Sequence, residues 1–145
     1  MDKLQIRDAV EQDAAALTTV LHAAYANAIA RIDGMPDVVG GVADDIAQGH
    51  VIVAEIGGNI AGLCVLHLQG AQAKLANIAV DPAQSGHGIG RALMQETEAR
   101  TRAAGFDSLH LVTHRDMTEN VSLYQHLGWQ VTETKGQAVL MCKPL

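Results

Sequence analysis

The chain has 145 residues, of which 48% are hydrophobic and only 3% aromatic, and it carries a net charge of −6. That is one domain's length, expected over residues 1–145, with a core built from Leu, Ile, Val and Ala. No apolar run nears the ~20 residues that cross a bilayer, and the acidic balance argues against a nucleic-acid partner.

The acidic excess is confined to residues 1–72, with nine acids against three bases; residues 73–145 hold seven of each. This permits a cationic substrate near the first half, and ordinary solvated surface explains it equally well. Met1-Asp2-Lys3-Leu4 does not read as a signal peptide. Cys64 and Cys142 lie in apolar strand-like runs, which predicts buried thiols in a reducing, cytoplasmic setting. No His/Cys set has zinc-ligand spacing, so no metal is expected.

In chain order, Leu4 to Arg7 alternates as a short strand. Glu11 to Ala30 has helical composition, with Ala15, Leu17, Val20, Leu21, Ala24 and Ile29 available for an apolar face. Asp33-Gly34-Met35-Pro36 breaks it, and a shorter helix is expected over Val38 to Ala47. Gly40 and Gly41 weaken that helix by roughly 1 kcal/mol each relative to alanine. His50 to Ile56 and Ile60 to Leu68 flank Gly57-Gly58-Asn59, a hairpin signal. A third strand covers Ala73 to Val80, and Asp81-Pro82 ends it because proline lacks the donor N–H.

Behind that strand come alternating glycines, Gly86, Gly88 and Gly90, and then a helix from about Gly88 to Ala104 that Gly105 stops. Ser108 to Thr113 is a strand, parallel to 75–80 because a helical crossover joins them. A short helix over Thr118 to Leu127 and a closing hairpin, Trp129 to Thr134 with Gln137 to Cys142, complete the chain. The order β, α, α, β, β, β, α, β, α, β, β predicts a mixed α/β fold, its sheet mostly antiparallel with helices on both faces.

A glycine loop between strand and helix binds anions: its N–H groups turn inward and the helix N-terminus adds partial positive charge. Two nucleotide loops are excluded by spacing. A Walker loop needs Gly-Lys-Ser/Thr, and Gly90 is followed by Arg91-Ala92. The dinucleotide fingerprint needs Gly-x-Gly-x-x-Gly; from Gly86 the third glycine comes one residue early, and from Gly88 that position is Leu93.

The stretch Asn77-Ile78-Ala79-Val80-Asp81-Pro82, continued by Ser85-Gly86-His87-Gly88-Ile89-Gly90-Arg91-Ala92-Leu93-Met94, closely resembles the acyl-coenzyme A signature of GNAT superfamily N-acetyltransferases. Leu123-Tyr124-Gln125-His126-Leu127-Gly128-Trp129 is similar to that family's Leu-Tyr-x-x-x-Gly-Phe element, and the order of elements agrees along the whole chain. The resemblance implies a sheet splayed between strands 73–80 and 108–113 and acetyl-CoA as co-substrate. Ser85 through Arg91 would bind its pyrophosphate, while the backbone of Ile78, Ala79 and Val80 would meet the pantetheine arm as if it were an added strand. The Val80 N–H would polarise the thioester carbonyl. Tyr124 would stand by the sulfur as general acid, a phenol being neutral and able to donate at pH 7. By the same resemblance Asn120 would be a further coenzyme contact.

Three departures from the family pattern stand out. Ser85 occupies a position that is commonly Gln or Arg. Leu75, Ala76, Asn77 and Ile78 offer no carboxylate where many members carry a base. Met117 sits seven residues before the tyrosine, where Asn is commonest. The base is thus unassigned: His67, His110 and His114 are candidates beside a water relay through Asn77, and each histidine also fits a surface or core role. His87 suits a phosphate-facing or solvent-facing place. The resemblance puts the acceptor between the first two helices, from Tyr25 to Asp45, where Arg31, Asp33, Asp37, Asp44 and Asp45 form an acid-rich stretch. The implied activity is acetyl transfer to a primary amine, small or at a peptide N-terminus; a coenzyme-binding sensor without catalysis is the alternative. A homodimer is compatible with such a fold.

Overall fold

A computed structural model describes residues 3–32 and 41–145, except for the side chains of residues 27–29 and 31. The Asp33–Pro36 breaker, the start of the second helix at Val38, Asp33, Asp37 and the Arg31 side chain lie outside the described residues. The elements are β1 Leu4–Asp8, α1 Ala14–Arg31, α2 Val42–Ala47, β2 Val51–Ile56, β3 Asn59–His67, β4 Ala73–Val80, α3 Ile89–Ala103, β5 Ser108–His114, α4 Thr118–His126, β6 Gln130–Lys135 and β7 Ala138–Pro144. Where α1 was expected from Glu11, residues Glu11–Asp13 form a 3₁₀ turn instead. Asp13 there takes the Val10 N–H and a two-pronged contact from Arg7, which holds its carboxyl below the usual range.

The strands form one sheet in the order β1-β2-β3-β4-β5-β7-β6. Every neighbouring pair is antiparallel except β4 and β5. Burial on both sides explains the unbroken apolar runs of the central strands. Val51, Val53, Leu63 and Val65 face α1 and α2, with Leu17, Val20 and Leu21 of α1 on top of them. Ile52, Cys64, Leu66 and Leu75 face α3 and α4, under Ile89, Leu93 and Tyr124.

The parallel pair is barely a pair. β4 and β5 meet only at Ala73 with Leu109 and Lys74 with His110. Beyond these the strands part, so the splay expected between 73–80 and 108–113 is present. α3 is held close to the sheet because β3 carries Gly62. A Cβ there would come within 2.9 Å of Ala79 O, 3.0 Å of Ile89 Cγ2 and 3.3 Å of Leu93 Cδ1.

β4 also carries a bulge. Val65 pairs with Asn77, but Leu66 pairs with Leu75, which leaves Ala76 as the extra residue. A bulge shifts side-chain alternation by one. Ala73 and Leu75 therefore share the α3 face with Ile78 and Val80, while Ala79 packs on the α1 face.

Candidate active site

The splay leaves backbone groups without a strand to meet. The Asp81 N–H donates to Ala61 O at 2.8 Å, and with the β3–β4 register this sets the alternation of the ladder. Ala79 and Asn77 direct their N–H and C=O toward β3. Ile78 and Val80 direct theirs the opposite way, into the gap. Of the three strand residues singled out in the sequence, Ile78 and Val80 thus present backbone to the gap and Ala79 presents only its wall.

The loop at the end of β4 is prepared for an anion. Asp81 takes the Ala83 N–H at 3.0 Å and fixes a 3₁₀ turn over Pro82–Gln84. Gly86 has φ +85° and Gly88, the residue before α3, has φ +72°. Side chains rarely adopt this left-handed region, and no neighbour lies within 4 Å of a Cβ placed at either, so the requirement is conformational. Among the described residues the N–H groups of Gly86 through Arg91 find no backbone acceptor, as befits a helix start. Ser85, His87 and Arg91 are exposed there. Ile89 is 2% exposed and anchors the helix in the core, leaving only its N–H for a ligand. His87 donates Nδ1–H to Gln84 O at 2.8 Å. Its Nε2 is then bare, and it can donate to a phosphate only when protonated.

A cavity of about 320 Å³ occupies the gap. Tyr124 of α4 and Asn120 line it from the α3 side and Tyr25 of α1 from the other; Gly90, Ile78 and Val80 lie between. The space therefore opens toward both helical layers. Tyr124 is buried, 5.8 Å from the ring of Trp129, and its hydroxyl makes no hydrogen bond among the described residues. Burial pushes its ionisation up strongly, helped by Tyr25 and Cys64 nearby, so the phenol is a held proton donor. α4 is kept in place from below. Lys143 of β7 donates to Leu127 O at 2.6 Å, capping the helix, and to Glu98 of α3 at 2.7 Å. The Asn120 amide is 3.8 Å from Met117 Sδ.

Tyr25 is the functional candidate whose place was hardest to foresee. It continues the stripe Leu17, Leu21 at four-residue spacing, which reads as core packing. Its hydroxyl donates to Asn77 Oδ1 and is 3.4 Å from Ile78 O. The resemblance placed it at the start of the acceptor stretch, and its own signal was a polar tip at the end of an apolar stripe. Burial pushes its phenol up to about 12.

The histidine candidates fare differently. His67 pairs with Lys74 at the closed end of the sheet and stacks on His50 at 4.2 Å. His110 also pairs with Lys74; its ring is 3.2 Å from Ser108 Oγ. Neither is at the gap. His114 ends β5 on the open side, buried, and its Nδ1 accepts the Asp116 N–H at 3.0 Å. The neutral ring therefore carries its proton on Nε2, which is buried with no partner among the described residues. A ring in that tautomer is a donor, not a base. Glu119, exposed at the first turn of α4, is the carboxylate in the cavity lining. No group of three metal-ligating side chains occurs among the described residues, and no helix among them is long and apolar enough to cross a membrane.

A family model described as an acetyltransferase (GNAT) domain matches residues 47–131. N-alpha-acetyltransferase 80 of Mus musculus is 48% identical over 48 residues, a third of this chain (33%) and 14% of its own length; the chain thus spans only a small part of that relative. Among solved structures, the PaiA N-acetyltransferase of Thermoplasma acidophilum in complex with coenzyme A superposes with a TM-score of 0.87 at 19% identity, over 99% of both chains. The ribosomal-protein-S18-alanine N-acetyltransferase of Escherichia coli gives 0.76 at 22% identity, over 98% of this chain and 94% of its own. YncA, a putative acetyltransferase of Salmonella typhimurium with acetyl-CoA, gives 0.73 at 20% identity, over 98% and 94%. At these identities the structural likeness speaks for the fold.

Proposed function

From the chain's membership of the GNAT acetyltransferase family, we propose that it moves an acetyl group from acetyl-CoA to a primary amine by direct attack, working as one domain over residues 1–145 in the cytoplasm. The observation that carries this is the gap itself. Backbone at Ile78 and Val80 that no neighbouring strand meets on the gap side, a glycine loop at one end and Tyr124 in the lining form a slot suited to an acyl-pantetheine chain. The residues present fit the co-substrate. Amides at Gly86 to Arg91 are donors for its pyrophosphate, with Ser85 and a protonated His87 alongside, and Asn120 offers an amide to the chain in the slot.

The chemistry assigns one task to each group. The acceptor arrives as ammonium and gives a proton to water before it attacks. Its nitrogen lone pair attacks the thioester carbon, and the Val80 N–H meets the charge that develops on oxygen. As the C–N bond forms and the C–S bond breaks, the sulfur takes the Tyr124 proton; the amide nitrogen loses its own proton to water, and water reprotonates Tyr124. A peptide N-terminus is the second acceptor class, supported by the names of the mouse and E. coli relatives.

The test is release of free thiol from acetyl-CoA with a panel of amines and N-terminal peptides. Acceptor-dependent release is expected. Tight coenzyme binding without release from any acceptor would leave a sensor instead. Tyr124→Phe should lower kcat by about 100-fold with the coenzyme Kd nearly unchanged; a lost affinity would mean the hydroxyl holds the coenzyme rather than protonating sulfur.

A further inference from the structure

We propose that Tyr25 positions the acceptor amine, its hydroxyl oxygen taking a hydrogen bond from the amine nitrogen on the α1 side of the gap. This rests on the acetyl-transfer reading and extends it to a residue outside both sequence motifs.

Three observations carry it. First, Tyr25 and Tyr124, both buried, line the same cavity from opposite layers. Tyr124 serves the sulfur, so the nucleophile must come to the carbonyl carbon from elsewhere, and the α1 side is where Tyr25 sits. Second, the Tyr25 proton is committed to Asn77 Oδ1. A hydroxyl whose proton is taken keeps its lone pairs, so it faces the cavity as an acceptor. An amine about to attack needs one of its N–H bonds held so that its lone pair points at the carbon. Third, the bulge at Ala76 is what makes the pair. Without it Asn77 would lie on the α3 face with Leu75's neighbours, beyond the reach of α1. The phenol stays protonated at neutral pH, so Tyr25 orients the amine and does not deprotonate it.

Steady-state kinetics of Tyr25→Phe against both substrates test this. The ring and its packing stay and one oxygen goes. The amine KM should rise about tenfold, the worth of one such hydrogen bond, while the acetyl-CoA KM and the calorimetric Kd for coenzyme A stay within twofold. Asn77→Leu keeps Tyr25 and removes the acceptor of its proton; it should raise the amine KM in the same direction, and that KM is the readout if the Phe variant does not fold. An unchanged amine KM in both variants, or a coenzyme Kd that rises in step, overturns the assignment and makes Tyr25 a wall of the gap. If the wild-type protein acetylates no amine at all, the transferase reading falls first and this one with it; an active wild type with an indifferent Phe variant sinks Tyr25 alone.

Discussion

At the scale of single residues, the three glycines behind β4 are not equivalent. Gly86 and Gly88 hold left-handed backbone. Alanine at Gly88 should cost about 1–2 kcal/mol of stability and weaken coenzyme binding, readable in a urea melt and a titration. Gly90 lies inside the helix, and a Cβ there meets only Val80 Cγ2 at 3.8 Å. Gly90→Ala should therefore stabilise the free protein by up to about 1 kcal/mol, yet lower coenzyme affinity because the new methyl enters the cavity; stability and binding moving in opposite directions is the expected signature. The glycines were legible in the sequence because spacing along the chain defines them, and Tyr124 because it matches the family's Leu-Tyr-x-x-x-Gly-Phe element. Tyr25 was legible only as the start of the acceptor stretch that the resemblance implies, not as the partner of Asn77. Its partner Asn77 lies 52 residues away, and a tyrosine on an apolar stripe looks like core until the opposite strand is in place. His114 shows the reverse limit: its candidacy as base rested on residue type, and one backbone N–H at its Nδ1 decides the tautomer.

At the scale of elements, the strands could be read from apolar runs and turn signals, and most ends agree within a residue or two. The bulge at Ala76 could not, since nothing in Leu75-Ala76-Asn77-Ile78 marks which residue the partner strand will skip. Register across β3 and β4 decides it. The same pair of strands sets how close α3 can come. Gly62→Ala would force the Cβ onto Ala79 O, a backbone atom, and should cost about 1–3 kcal/mol, seen as a drop of several degrees in Tm. The loop glycines ride on the first turn of α3, so weaker coenzyme binding should accompany the loss.

For the whole molecule, sheet order was the feature least open to sequence reasoning. A closing hairpin was expected, but that β7 rather than β6 pairs with β5 depends on burial on the α3 face, where Val139 and Met141 join Leu109 and Leu111. The core also predicts how the fold responds to base. Burial pushes the Cys64 thiol up from 9.0 to about 11 and the Tyr25 phenol from 10.0 to about 12, and raises Tyr124 as well. All three are neutral in the native state. The unfolded chain begins to lose these protons near pH 9, whereas the native chain keeps them, so the unfolded state binds fewer protons and stability falls as pH rises. The contribution is full below pH 9 and is lost through about pH 9–12. Urea midpoints measured from pH 8 to 11 should decline, and less steeply for Cys64→Ala, whose cavity lowers the whole curve without tilting it.

The parting of β4 from β5 should also be visible in isotope exchange. Along β4 the amides of Asn77 and Ala79 are locked into β3, while those of Ile78 and Val80 look into the gap. Deuterium uptake along one strand should therefore alternate, slow at 77 and 79 and fast at 78 and 80. Adding coenzyme A should slow the fast pair and leave the slow pair as it was. A strand that is half sheet and half binding edge would thus report occupancy residue by residue, with no label and no turnover.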